Sequence, residues 1–250
     1  MTQKILGVTG LNKHFGGVKA THDVDFEIAR GAKEAIIGPN GAGKSTFFNL
    51  LTGYFQPDSG TIVFNGADVT GWAPHRIAKA GISRAFQISN IFHRMNVFEN
   101  VRTAVHAEMG RSLGIFGRAD RIGIDETEKA LELCGLLDKG AMTAGELSQG
   151  DKKKLELAIA LAGKPKLLLL DEPTAGMSLE ETQATMALVD RLNADFGLTV
   201  LFTEHDMSVV FDHARKVTLL HRGEIIMRGT PDEVRASETA QKIYLGELHL

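Results

Sequence analysis

One nine-residue stretch limits what this chain can fold into: Gly38-Pro39-Asn40-Gly41-Ala42-Gly43-Lys44-Ser45-Thr46 fits the phosphate-cradling pattern G-x-x-x-x-G-K-[ST] at every fixed position. The pattern needs a strand before it and a helix after it. The apolar run Ala35-Ile36-Ile37 predicts a buried strand, and the spacing over 45–51 predicts a helix with Phe47, Phe48 and Leu51 inward. Glycines 38, 41 and 43 permit the tight backbone that aims N–H groups at phosphate oxygens, and the helix N-terminus adds partial positive charge. Lys44 is expected to reach the β- and γ-phosphates and Ser45 to hold Mg²⁺, with Pro39, Asn40, Ala42 and Thr46 completing the loop around the nucleotide.

A chain of 250 residues with 43% apolar content can fill one large domain or a domain with an inserted lobe. Its formal charge of −3 gives extended nucleic-acid binding no electrostatic support. Cys134 is the only cysteine, which excludes an internal disulfide and fits a reducing compartment; its helical context predicts packing. No apolar run approaches the roughly 18 residues of a membrane helix, and residues 1–8 lack a secretory pattern, so a cytoplasmic address is expected.

The opening stretches 4–9 and 24–28 alternate as half-buried strands do and predict a small antiparallel sheet beside the nucleotide. Between them, Phe15 precedes Gly16 and Gly17; it is either a ring that stacks on adenine, worth about 1 to 3 kcal/mol, or a core residue. Residues 60–66 read as a strand, 74–80 as a short helix entered through Pro74, and 81–87 as a strand ending in Gln87, which there could touch Mg²⁺ or a water. Three helices are expected over 97–109, 125–137 and 152–162, with a glycine- and arginine-containing connection at 110–123. Leu147-Ser148-Gln149-Gly150-Asp151 stands before the third, as a plain N-cap or an anion site, with Lys152, Lys153 and Lys154 placed unfavourably in the first turn.

The second strong signal is Lys166-Leu167-Leu168-Leu169-Leu170-Asp171-Glu172-Pro173, a buried parallel strand ending in two carboxylates. Ligands gather at the carboxyl ends of such strands. Asp171 can orient the Mg²⁺ shell there and Glu172 can polarise an attacking water. Ser178-Leu179-Glu180-Glu181 predicts a capping box opening a helix to about Asp195. A further buried strand over 198–202 leads into Thr203-Glu204-His205, where the histidine is either placed to meet a terminal phosphate or structural. A hairpin over 217–227 and a helical tail over 231–245 close the chain.

In order and spacing, Phe15, residues 38–46, Gln87, 147–151, 167–173 and His205 resemble the ATP-binding subunits of ABC transporters along essentially the whole chain. The resemblance implies an α/β P-loop NTPase core of mainly parallel strands (1–87 and 165–250), an antiparallel β lobe, and an inserted α-helical lobe (88–164). It puts Phe15 at the adenine-stacking place and Gln87 at the place that senses Mg²⁺ and couples to the membrane subunit. Ser148 and Gly150 fall in the signature that touches the γ-phosphate of the opposite subunit, Glu172 at the catalytic base and His205 at the switch histidine. A narrower likeness, carried by Phe15-Gly16-Gly17, 81–87, Thr174-Ala175-Gly176-Met177, Glu204-His205-Asp206-Met207 and Tyr244-Leu245-Gly246, is to the branched-chain amino-acid uptake branch, which also resembles urea and lipopolysaccharide transport ATPases. Gln149 and Asp151 depart from the commonest signature, and Ser178 stands where many relatives carry an Asp across the dimer interface.

The expectation is therefore an ATPase that uses ATP and Mg²⁺ to drive permease subunits in the membrane, paired with a second ATP-binding subunit. It would sit peripherally on the inner face of the membrane, with a periplasmic solute-binding protein upstream and no nucleic-acid partner. Two rivals remain at this point. One is a soluble ABC-type ATPase acting on DNA or ribosomes, against which stand a single cassette, no long heptad insertion between Lys44 and Asp171, and no basic tail. The other is a nucleotide-binding switch that scarcely hydrolyses, which Ser178 favours and Glu172 opposes.

Overall fold

Parallel strands covered on both faces need apolar residues at nearly every position. In the computed structural model, which describes residues 3–85, 91–109 and 122–245, β7 (Leu167–Asp171) meets that demand with four leucines, and β3 (Lys33–Ile37) and β8 (Thr199–Thr203), which carry charged or polar residues at their ends, are likewise buried at every residue. With β6 (Ile82–Ala85), β9 (Lys216–His221) and β10 (Glu224–Gly229) they form a six-stranded sheet in the order β10-β9-β3-β8-β7-β6. All neighbours pair in parallel except the β9/β10 hairpin.

The two-residue period of a strand divides these side chains between two cores. Ala35, Ile37, Leu168, Leu170, Val200 and Phe202 enter one; Ile36, Leu167, Leu169 and Leu201 enter the other. The first core is covered by α6 (Leu179–Phe196), α7 (Met207–His213) and three helices that pack on one another, α3 (Val97–Glu108), α4 (Ile124–Leu133) and α5 (Gln149–Ala162). The second is covered by α1 (Lys44–Leu51) and the antiparallel sheet β2-β1-β4-β5, built from β1 (Lys4–Phe15), β2 (Val18–Ala29), β4 (Ser59–Phe64) and β5 (Ala67–Asp68). Phe47, Phe48 and Leu51 of α1 are buried as their spacing predicts, and Phe47 meets Phe26 of β2 edge to face at 5.5 Å. The helix α2 (Pro74–Ala80) has the expected bounds, with Pro74 at its start and Gly81 at φ 110° closing it.

Differences from expectation include the first hairpin, helix α4 and the C-terminal tail. The first hairpin is longer, so that Gly16 and Gly17 form its turn and Phe15 pairs with Val18. Helix α4 stops at Leu133 instead of reaching residue 137, because Gly135 at φ 67° ends it: Leu136 N–H donates to Leu131 O at 2.8 Å and Gly135 N–H to Glu132 O at 3.0 Å. Leu131 and Leu136, both fully buried, belong to the same apolar core at this stop. The tail is two helices, α8 (Pro231–Ala236) and α9 (Glu238–Leu245), because Ser237 is extended and its hydroxyl accepts from Ala240 N–H at 3.3 Å. Gln87 and most of the 110–123 connection lie outside the described residues. Among the described residues, no helix is long and apolar enough to cross a membrane.

Candidate nucleotide site

The central strand β3 delivers the loop at residues 38–43 to the carboxyl edge of the sheet and into α1. Close backbone contact explains two of its glycines. A Cβ on Gly38 would lie 2.1 Å from the Leu220 carbonyl oxygen, and one on Gly43, at φ 107°, would lie 2.2 Å from that of Ala20. No side chain caps α1, and its first turn holds no acidic residue, so its N-terminal N–H groups face the loop without a local anion. Lys44, 7% exposed, folds back to donate to the carbonyls of Gly38 and, at 3.1 Å, Pro39. Ser45 is exposed beside it.

Strand register brings the acidic residues and the histidine to the same edge. Ile36, Thr203 and Asp171 stand level on β3, β8 and β7. The loop, Glu172 and His205 therefore emerge from adjacent strand ends within two residues of one row. Asp171, only 5% exposed, has both oxygens engaged: Thr203 Oγ1 donates to Oδ1 at 2.7 Å and Arg84 Nη2 to Oδ2 at 2.5 Å. Arg84 also donates to Asn49 Oδ1 of α1 at 2.6 Å, and it lies 5.6 Å from the Phe48 ring. Burial pulls the Arg84 guanidinium below its ordinary value, and the charge of Asp171 pushes it back up.

Glu172 adopts φ 52°, a left-handed backbone that costs a non-glycine residue about 1 to 3 kcal/mol. Its N–H donates to Thr203 O at 3.1 Å and Oγ1 at 3.2 Å, which holds that conformation. The result aims its carboxylate at His205, whose Nε2 donates to Oε1 at 2.8 Å, with both side chains nearly half exposed.

Phe15 is 44% exposed at the tip of the first hairpin, edge to face with Phe55 at 5.1 Å, so of its two readings the core one is set aside. Asp58 braces this hairpin. It accepts from Lys13 Nζ at 2.8 Å and from His14 N–H at 2.6 Å, and these bonds hold its carboxyl down at about 2.

Helix α5 begins three residues earlier than expected, at Gln149, because Ser148 caps it by accepting from Asp151 N–H at 3.1 Å. Asp151 thus occupies the first turn, where its charge suits the helix dipole, and Lys152 to Lys154 move into the second. The expected dipole conflict is absent. Lys139 Nζ pairs with Asp151 at 2.5 Å, and Gly150 abuts Glu181, to whose carboxylate a Cβ at residue 150 would come within 2.8 Å. Ser178 caps α6 in the predicted box with Glu181.

Sequence reasoning did not single out Arg84, Thr203 or Glu204. Thr203 and Glu204 flank the histidine in a stretch already marked, but their hydrogen bonds run between strands. Arg84 lies on β6, and its partners are 35 and 87 residues away in the chain.

An α/β sheet that carries a phosphate loop on its central strand, with a carboxylate pair and a histidine on neighbouring strand ends, defines a P-loop NTPase. Residues 21–175 match the family described as ABC transporter. The high-affinity branched-chain amino acid transport ATP-binding protein BraF of Pseudomonas aeruginosa is 35% identical over 99% of this chain and 100% of its own length. The corresponding LivG protein of Escherichia coli K12 shows the same identity and coverage. A crystal structure of the ADP conformation of an ATP-binding cassette superposes with a TM-score of 0.86 at 30% identity, over 98% of this chain and all of that one. The chain belongs to the ABC transporter family, as one of its ATP-hydrolysing subunits.

Proposed function

We propose that this chain powers the uptake of branched-chain amino acids by hydrolysing Mg·ATP at the edge formed by β3, β7 and β8. One observation carries the chemistry: the Glu172 carboxylate, held in a left-handed backbone, hydrogen-bonded to His205 at 2.8 Å, one strand removed from the phosphate loop. The loop N–H groups and Lys44 bind the β- and γ-phosphates, the adenine lies on the exposed Phe15 ring, and Glu172 takes the proton of the attacking water. His205 orients Glu172 and faces the terminal phosphate. Positioning and electrostatics supply most of the rate in such a transfer.

The donors for Mg²⁺ are the Ser45 hydroxyl, the Asp171 carboxylate and Gln87. This all-oxygen set suits a hard cation that is held by one or two carboxylates, water and substrate phosphates. When bound, the ion neutralises charge developing on the phosphates.

The solute assignment rests on full-length similarity to BraF and LivG. The reading includes permease subunits in the membrane, a solute-binding protein that delivers the amino acid, and a peripheral position on the cytoplasmic face. It includes a second ATP-binding subunit whose Ser148 and Gly150 close on this chain's nucleotide. Residues 88–164 act as the helical lobe and the remainder as the ATPase core, with Gln87 at their junction.

Nucleotide binding and phosphate release by Lys44→Ala and Glu172→Gln test the site. Lys44→Ala loses most ATP affinity; Glu172→Gln binds ATP but hydrolyses it roughly 10²- to 10⁴-fold more slowly. Equal loss of binding in both variants refutes this division of roles.

A further inference from the structure

Glu204 is a carboxylate only 4% exposed, one residue before His205, and among the described residues its side chain's hydrogen bonds go to segments that carry the hydrolytic pair. Oε1 accepts from the Thr174 N–H at 2.8 Å and from the Thr174 hydroxyl at 2.6 Å, while Oε2 accepts from the His205 N–H at 3.1 Å. Thr174 is itself buried. Only Pro173 separates it from Glu172, and a proline transmits position because its ring fixes φ. Two consecutive residues at the end of β8 therefore grip the chain after β7: Thr203 binds the Glu172 N–H, and Glu204 binds Thr174.

We propose that Glu204 is a positioning residue for ATP hydrolysis, which sets the distance and angle between Glu172 and His205 by clamping the main chain beside each. The Glu172 and His205 side chains stand half in water, and an exposed pair of this kind holds one geometry weakly by itself. The buried clamp supplies the rigidity and keeps Glu172 at its strained φ of 52°. A carboxylate suits the task because it accepts on both oxygens. A glutamine in the same shape still accepts from Thr174, but its NH₂ group faces the His205 N–H, donor against donor.

The inference rests on the hydrolytic reading of Glu172 and His205, so the test carries Glu172→Gln as a control. Full-length Glu204→Gln and Thr174→Val are measured for ATP affinity and for kcat and KM of phosphate release. Glu204→Gln is expected to keep ATP affinity and KM within about twofold while kcat falls on the order of 10- to 100-fold, the scale of a small misplacement of reacting groups. Thr174→Val, which withdraws one donor and retains the N–H, is expected to lower kcat several-fold at unchanged KM, and it decides the matter if Glu204→Gln does not fold. Wild-type kcat in Glu204→Gln or Thr174→Val, with Glu172→Gln inactive, overturns the role of Glu204 and leaves the site intact. Parallel loss of affinity and rate also overturns it, in favour of a general contribution to folding. A fully active Glu172→Gln instead removes the hydrolytic reading on which the inference stands.

Discussion

Removing Arg84 tests how much its buried ion pair with Asp171 contributes to stability. Asp171 is 5% exposed and the Arg84 side chain 12%, so water screens their 2.5 Å contact little. Arg84→Met keeps an apolar side chain of similar length but removes the guanidinium, so that Asp171 keeps the Thr203 hydroxyl and Asn49 Oδ1 loses the Arg84 donor. Breaking a buried pair from one side typically costs about 3 to 5 kcal/mol, because a charge is left uncompensated. That is a large part of a typical total of about 5 to 15 kcal/mol. At a urea slope near 3 kcal/mol/M it shifts the midpoint by about 1 M or more. Asp171→Asn strands the guanidinium in the same way, whereas Arg84→Met with Asp171→Asn removes both charges. The double variant is therefore expected to be more stable than the sum of single losses allows, by at least about 2 kcal/mol of coupling. Urea unfolding of the four proteins closes the cycle. Additivity within about 0.5 kcal/mol refutes a load-sharing pair at this position.

Three further outcomes follow from the same geometry. Phe15→Ala is expected to weaken ATP binding by about 1 to 3 kcal/mol at unchanged stability, and Phe15→Tyr to be near neutral; loss of fold without a nucleotide defect would return Phe15 to a packing role. Ser148→Arg and Lys44→Ala, each inactive alone, are expected to recover part of wild-type ATPase when mixed, since one heterodimer pairs an intact loop with an intact signature; cross-linked heterodimers without activity count against a shared site. Burial pushes the Cys134 thiol from an ordinary 9 up to about 12, so a thiol reagent at pH 8 should label it only after denaturation. The sign for stability follows: between those two values the unfolded thiol ionises and the native one does not, so this contribution is lost as pH rises through that window.

Much of the fold was legible because period and punctuation act locally. The leucines of β7, the loop glycines and the Ser178 box each declare an element through residues within one turn or strand of each other. The misread ends show the limit of periodicity alone: the Gly135 stop of α4, the Ser237 break and the Ser148 cap are local signals too, but each is a single residue set against a run of helix-compatible neighbours. Phe15 marks a different limit. Its exposure depends on where the hairpin turn falls relative to the sheet beneath it, and no spacing in β1 specifies that.

The sequence by itself determined the phosphate loop, the carboxylates at the end of β7, the histidine after β8 and hence the class of chemistry, since those motifs are contiguous and each needs only its own strand and helix. Tertiary structure alone decided how they meet. Parallel pairing of β3, β8 and β7 puts Ile36, Thr203 and Asp171 in one row, although Asp171 lies 135 residues beyond Ile36 in the chain and Thr203 another 32. From that row come the Arg84–Asp171 pair, the left-handed turn at Glu172 and the Glu204 clamp. The physical reason is that a hydrogen bond has a reach of about 3 Å whatever the distance along the chain. Partners that only a folded sheet brings within that reach leave no pattern in the order of residues.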